Sequence, residues 1–161
     1  MSGWLHPFYG MDHIMAMMAV GLWASQLGRR ALMVLPAAFC VGMLGGGWLS
    51  LNLVPLPGVE AGILASVLVF GVLLAIAARF QLVVAAVLVA GFAVFHGYAH
   101  LAEITNGVSV GIYATGFLLA SCFLMAMGAI IGVSCKAAGL PQMLRVAGAA
   151  ACVVAVVLAL P

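Results

Sequence analysis

Long apolar runs, separated by short breaks rich in glycine, proline or charge, make up almost the whole chain. About 20 apolar residues are needed for one helix to cross roughly 30 Å of hydrocarbon, and the sequence contains six such runs. We therefore predict an all-α bundle of six transmembrane helices in a single domain, residues 1–161. The predicted helices cover approximately 8–27, 31–51, 62–78, 81–104, 108–135 and 143–160.

Composition narrows the class of protein further. Hydrophobic residues make up 68% of the chain and charged residues only 5%, which is typical of an integral membrane protein with the lipid bilayer as its surroundings. The net charge of +2 is small and scattered, so a nucleic-acid partner is not expected. The chain has no Gly-x-x-x-x-Gly-Lys-Ser/Thr loop, so any transport would not be driven by ATP bound to this chain.

The cationic residues predict the orientation of the bundle. All five lie in or beside the connections that follow the first, third and fifth helices; they are Arg29, Arg30, Arg79, Lys136 and Arg145. They therefore share one face of the membrane, and the positive-inside rule makes that face cytoplasmic. Both termini are then periplasmic.

Glycine occurs at the spacing that lets helices approach closely. Gly42 and Gly46 form one Gly-x-x-x-Gly pair, and Gly128 and Gly132 form another. Tight packing within one bundle is the favoured interpretation. A homo-oligomer that forms through these glycine-rich faces is the alternative.

Ionisable residues are concentrated in two short clusters inside these apolar runs. All four histidines and two of the three acidic residues belong to them: His6, Asp12 and His13 in the first cluster, and His96, His100 and Glu103 in the second. Such groups are costly at membrane depth, so by default they indicate an ion pathway, a proton relay or a metal site. Imidazole and carboxylate together are ligands for divalent transition metals.

The two clusters lie at matching depth. His13 is roughly 8 Å from the outer end of the first predicted helix, at 1.5 Å per residue. His96 and His100 share one face of the fourth helix with Glu103 and lie roughly 6–12 Å from its outer end. The clusters converge if these two helices are neighbours, and the six residues then form one metal site in the outer half of the bilayer.

Each ligand also has a structural alternative. A histidine in a transmembrane helix is often a hydrogen-bonding group between helices. Asp12 suits the N-terminal turn of a helix, or it could orient a histidine that ligates through its other nitrogen. Glu103 lies close enough to the outer surface to be simply solvated.

Both clusters carry a family resemblance. His6-Pro7-Phe8-Tyr9-Gly10-Met11-Asp12-His13 matches His-Pro-x-x-Gly-x-Asp-His in full, and His96-Gly97-Tyr98-Ala99-His100-Leu101-Ala102-Glu103 matches His-x-x-x-His-x-x-Glu. These segments resemble the motifs of the HupE/UreJ family of bacterial nickel/cobalt permeases. The resemblance implies a small multi-pass secondary permease of the bacterial inner membrane. It also implies that the protein is not an enzyme and that Ni²⁺ or Co²⁺ is its cargo rather than a prosthetic group. Imidazole and carboxylate ligands also bind Zn²⁺, which is a further candidate.

Three hypotheses for function follow. In the first, a divalent ion from the outside sheds water and is ligated by His13, His96 and His100, while Asp12 and Glu103 supply negative charge. The second is an intramembrane zinc-dependent lipid hydrolase, because three histidines and a carboxylate also suit a catalytic zinc. The third is a metal-binding accessory subunit, which would bind the metal without flux.

Overall fold

The computed structural model describes residues 3–104 and 108–160, except for the side chain of His6. In these residues the chain is all-α, as predicted. A short 3₁₀ helix, His6–Phe8, precedes the first α-helix. The α-helices are α1 (Met11–Leu27), α2 (Ala31–Leu51), α3 (Val59–Ala75), α4 (Leu82–Ala102), α5 (Val110–Ala137) and α6 (Gln142–Ala159).

The third helix departs most from the sequence-based bounds. It begins at Val59 and ends at Ala75, three residues earlier at each end than the predicted 62–78. Gly58 has a φ of 70°, a left-handed conformation that glycine adopts without strain, and it turns the chain into the helix. Glu60 therefore lies in the first helical turn, where the macrodipole favours a carboxylate, and not in the connecting segment.

The first helix also starts later than predicted. The expected start was at residue 8, but α1 begins at Met11, and Pro7 lies in the separate 3₁₀ helix. Asp12 and His13 are thus in the first turn of α1. The backbone of His6 lies in the 3₁₀ helix, outside α1, and its side chain lies outside the described residues.

Length and composition make most of these helices suitable for a bilayer. Among the described residues, four helices are long and apolar enough to cross a membrane, namely α2, α4, α5 and α6. Helix α3 is apolar but has 17 residues, which span about 26 Å at 1.5 Å per residue. Helix α1 also has 17 residues.

Three helix pairs, which pack through small residues, form the bundle. The most extensive contacts join α2 to α4, α1 to α5 and α3 to α6, and α1 also touches α2, α3, α4 and α6. A Cβ at Gly46 would collide with the carbonyl of Val94 in α4, and one at Gly128 with the carbonyl of Met18 in α1. The predicted packing of these glycines within the bundle is therefore confirmed, since only a glycine permits such close backbone contact.

Large apolar side chains divide between the interior and the outside. Trp23, Phe39, Phe70 and Phe117 are fully buried, whereas Met33 is 76% exposed. Further large apolar residues on α2, α4 and α5 are exposed as well. Such an apolar outside is stable in lipid and would be unstable in water.

The predicted cationic face forms one end of the bundle. The Nζ of Lys136 donates to the carbonyl of Ser25 near the end of α1 (2.7 Å), and the Nε of Arg145 donates to that of Ala75 at the end of α3 (2.9 Å). Arg79 joins both side chains around a cavity of about 340 Å³. Cations here satisfy the last carbonyls of two helices and oppose their negative dipole ends.

Candidate metal centre

Three of the four histidines meet near the other end of the bundle. The ring of His13 on α1 lies 4.9 Å from that of His96 and 5.0 Å from that of His100, measured between ring centroids. His96 and His100 are one turn apart on α4 and fully buried. The spacing along α4 and the matching depth of His13 thus bring imidazoles from two helices together.

Asp12 is bound to its neighbour His13. The Nδ1 of His13 lies 2.9 Å from the Oδ1 of Asp12, and the backbone N–H of His13 donates to the same oxygen at 2.7 Å. An ionised carboxylate only accepts hydrogen bonds, so the ring proton of neutral His13 is on Nδ1. The Nε2 of His13 then carries the lone pair that a metal requires.

Gly10 makes room for this pair. A Cβ at this position would lie 2.6 Å from the Oδ1 of Asp12 and 2.8 Å from the Nδ1 of His13. The backbone of Gly10, with φ −99° and ψ 117°, is one that any residue can adopt. Space, and not backbone conformation, is therefore why glycine is needed here.

One ring nitrogen on His13 and one on His96 are buried without a hydrogen-bond partner in the described part of the chain. They are the Nε2 of His13 and the Nδ1 of His96. A buried polar atom without a partner is costly and is rare in folded proteins. A ligated metal ion would satisfy both lone pairs, so the donor set fits a divalent transition metal.

Aromatic side chains wall the centre on its inner sides. The ring of Phe117 on α5 stacks on His100 at a centroid distance of 4.9 Å and an angle of 8°, and Phe39 on α2 lies 5.5 Å from His96. Both phenylalanines are fully buried. They exclude water from the imidazoles, and this strengthens electrostatic interactions there.

Carboxylates surround the outer mouth of the centre. A cavity of about 230 Å³ is lined by Asp12, His13, Glu60 and Glu103, together with Tyr9, Gly10 and Ala99. Glu103 caps the end of α4 and is exposed, and Glu60 is exposed on α3. All three acidic residues of the chain therefore lie at this one mouth, where negative charge attracts cations.

Two residues at the candidate metal centre, Glu60 and Ser66, were not predicted from the sequence. Glu60 was placed in a connecting segment, although the confinement of every carboxylate to the outer ends of helices was a usable signal. Ser66 on α3 is fully buried, and its Oγ lies 3.0 Å from the Nε2 of His96. No sequence pattern links Ser66 to His96, because they are 30 residues apart on different helices.

The cluster is not already arranged around an ion. Among residues 3–104 and 108–160, no group of three or more His, Cys, Asp or Glu side chains is positioned to hold a metal. The imidazoles are adjacent, but they face one another edge to face, at 84° between His13 and His96. Metal ligation by the six predicted residues thus stays a prediction.

Comparison with known proteins gives two findings. The family model described as HupE / UreJ protein matches residues 1–158. The chain is 41% identical over 128 residues to "Protein HupE" of Rhizobium leguminosarum bv. viciae, and the matched region covers 80% of this chain and 67% of that protein. No solved structure matches the chain.

Proposed function

This chain belongs to the HupE/UreJ family, and from that premise we propose that it is a secondary transporter that takes up Ni²⁺ or Co²⁺ across the bacterial inner membrane. Members of the family generally take up nickel or cobalt. We further propose that the ion binds at the centre formed by His13, His96 and His100, with Asp12, Glu103 and His6 of the two motifs as further ligands or charges.

One observation carries the proposal: the imidazole of His13 lies about 5 Å from the imidazoles of His96 and His100 on another helix, behind a mouth that contains every acidic side chain of the chain. A cation that leaves water for a buried site needs compensating negative charge and replacement ligands. Carboxylates supply the charge, and the imidazoles supply the ligands. A simple polar contact between helices would need neither so many groups nor this separation of roles.

The proposed arrangement in the membrane follows from the charges. All six helices span the bilayer, with both termini and the carboxylate mouth on the periplasmic side and the cationic cavity on the cytoplasmic side. The two helices of 17 residues are compatible with this, because local thinning of the bilayer accommodates a short span at modest cost. Cysteine-accessibility labelling at Ser2 and Ser109 from outside, and at Arg29 from inside, would test this topology.

Selectivity between metals is a property of geometry rather than of ligand type. Mixed imidazole and carboxylate ligands bind Ni²⁺ and Co²⁺, but Cu²⁺ binds most such sites more tightly, and Zn²⁺ also binds them. Competition is therefore an essential part of the test.

The test is Ni²⁺ uptake into proteoliposomes. Wild type is compared with His13→Ala and His96→Ala, with Gly91→Ala as the matched control, since an added Cβ there meets nothing within 4 Å. Competing Co²⁺, Zn²⁺ and Cu²⁺ establish the preference. We expect saturable uptake in wild type and Gly91→Ala and its loss in both histidine variants.

Tight metal binding without flux in any condition would contradict transport. It would favour the hypothesis of an accessory subunit or that of a zinc-dependent hydrolase. A second readout is pH, because ligating histidines must be neutral. Uptake should fall as pH drops from 7.5 to 5, because protons compete with the metal for the imidazole nitrogens, and a flat profile would argue against imidazole ligation.

A further inference from the structure

We propose that Ser66 is a positioning residue that holds His96 in the tautomer whose lone pair is on Nδ1, so that His96 ligates the transported ion through Nδ1. The role of His96 as a metal ligand rests on the proposed function, whereas its tautomer is a property of the protein without metal. It assigns a task to a buried serine that lies outside both sequence motifs.

The argument starts from the single proton of the serine hydroxyl. The Oγ of Ser66 lies 2.6 Å from the carbonyl of Ile63, one turn back on α3. A carbonyl only accepts, so the hydroxyl donates its proton to Ile63. The second neighbour of Oγ, the Nε2 of His96 at 3.0 Å, must then be the donor. Neutral His96 thus carries its proton on Nε2.

A serine in a helix commonly bonds to a carbonyl one turn back, so the bond to Ile63 by itself would be unremarkable. The second contact makes the difference, because that bond turns the hydroxyl into an obligate acceptor toward His96. Ser66 and His96 are both fully buried. Within the described part of the chain, the Nδ1 of His96 has no hydrogen-bond partner, so nothing there competes with a metal for its lone pair.

The two histidines that face each other are held in opposite tautomers. His13 is protonated on Nδ1 by its bond to Asp12 and presents Nε2, whereas His96 is protonated on Nε2 by its bond to Ser66 and presents Nδ1. Both of these presented nitrogens, Nε2 of His13 and Nδ1 of His96, are buried without a hydrogen-bond partner in the described part of the chain. Outer hydrogen bonds of this kind fix the tautomer and ring orientation of metal-binding histidines, and their removal typically lowers metal affinity by about 10- to 100-fold.

The experiment uses a pair of variants of nearly equal shape, Ser66→Thr and Ser66→Val. Threonine retains a hydroxyl that can bond to the carbonyl one turn back, while valine replaces the hydroxyl by a methyl group. Comparison within this pair separates the hydrogen bond from the packing. Thermal melts of both purified proteins in the same detergent show whether each is folded.

The first measurement is the tautomer in the purified, metal-free protein at pH 8. Nitrogen-15 NMR of histidine-labelled protein distinguishes protonated from unprotonated ring nitrogens, and the His96 signals are assigned by their loss in His96→Ala. We expect a proton on Nε2 of His96 in wild type and Ser66→Thr and a mixture of tautomers in Ser66→Val. A wild-type proton on Nδ1, or an unchanged tautomer in Ser66→Val, would overturn the proposal even if the protein transports metal.

The second measurement is the consequence for the ion. Equilibrium binding of Co²⁺, followed by its visible absorption spectrum, should weaken about 10- to 100-fold in Ser66→Val and stay near wild type in Ser66→Thr, with a raised KM for uptake. Wild-type affinity in folded Ser66→Val would also overturn the proposal. If wild type neither binds nor transports metal, the proposed function fails, and the NMR result still decides the tautomer separately.

Discussion

The two ends of the bundle have opposite chemistry. At one end, Asp12, Glu60 and Glu103 surround a cavity of about 230 Å³ that leads to buried imidazoles. At the other end, a larger cavity of about 340 Å³ is lined by Arg79, Lys136 and Arg145. One end attracts a divalent cation, and the other repels it.

The difference teaches that, in the described part of the chain, the clustered imidazoles and the carboxylates are confined to one half of the molecule. Apart from His96 and His100, the only fully buried polar side chains in the described part of the chain are Ser25, Ser66 and Ser121. In the described part of the chain, no second cluster of imidazoles or carboxylates lies at the cationic end of the bundle. In the proposed transport, release of the ion therefore cannot depend on a mirror image of the capture site.

The largest effect is expected at the contact between the carboxylate of Asp12 and the imidazole of His13. Asp12→Asn keeps the shape of the side chain but removes the charge that holds the proton on Nδ1 of His13. We expect Ni²⁺ affinity to fall by about 10- to 100-fold, measured as KM for uptake. Wild-type KM in this variant would show that Asp12 serves only the first turn of α1.

A larger side chain at position 10 should disturb the same contact between Asp12 and His13. In Gly10→Ala, the new Cβ displaces the side chains of Asp12 and His13, since it would lie 2.6 and 2.8 Å from their atoms. We expect affinity to fall about 10-fold, at the lower end of effects on an outer hydrogen bond. Gly91→Ala is the control, because its Cβ meets open space, and equal KM values in the two variants would contradict the prediction.

A smaller effect is expected at the rim of the mouth. Glu60→Gln removes one unit of negative charge without changing size, and across roughly 8 Å of water this charge attracts a divalent ion by about 1 kcal/mol. Uptake at low Ni²⁺ should fall about fivefold at low ionic strength. The loss should shrink in 0.5 M salt, where exposed charges are screened, and a salt-independent loss would instead indicate that Glu60 is a ligand.

The smallest effect is expected at the cationic end. Arg145→Met removes the bond to the carbonyl of Ala75 at the end of α3 and should lower stability by about 0.3–1 kcal/mol, seen in a detergent thermal melt. The KM for uptake should not change. Arg29→Met is the control, because in the described part of the chain Arg29 makes no such side-chain bond, and a raised KM in Arg145→Met alone would give this end a part in binding.

Much of the fold was accessible from local patterns. The bounds of α2 agree with the prediction at both ends, and the other helices agree within a few residues. The predicted bounds of α3 lie too far along the chain because they were based on its apolar run alone. The left-handed Gly58 and the carboxylate of Glu60 place that start three residues earlier. End positions depend on single turn residues, which carry less signal than a 20-residue apolar run.

Half of the candidate site was accessible in the same way. His13, His96 and His100 were predicted to converge because their depths match, and depth follows from counting residues along each helix. Ser66 and Glu60 were not predicted, because both lie on α3 and reach the site only through the packing of α3 beside α1 and α4. A serine in an apolar helix also has an ordinary explanation of its own.

The sequence by itself determined the all-α class, the separation of cations from carboxylates, the membership in its family and the histidine pair on α4. These depend on residue types and on spacing along one helix, which are local properties. Only the tertiary structure decided that α2 pairs with α4, α1 with α5 and α3 with α6. It also placed the carboxylate of Asp12 beside Nδ1 of His13 and the hydroxyl of Ser66 beside Nε2 of His96. The choice of helix partner rests on whether small residues meet across an interface, as where Gly97 meets the backbone of Met43, and no single helix contains that information.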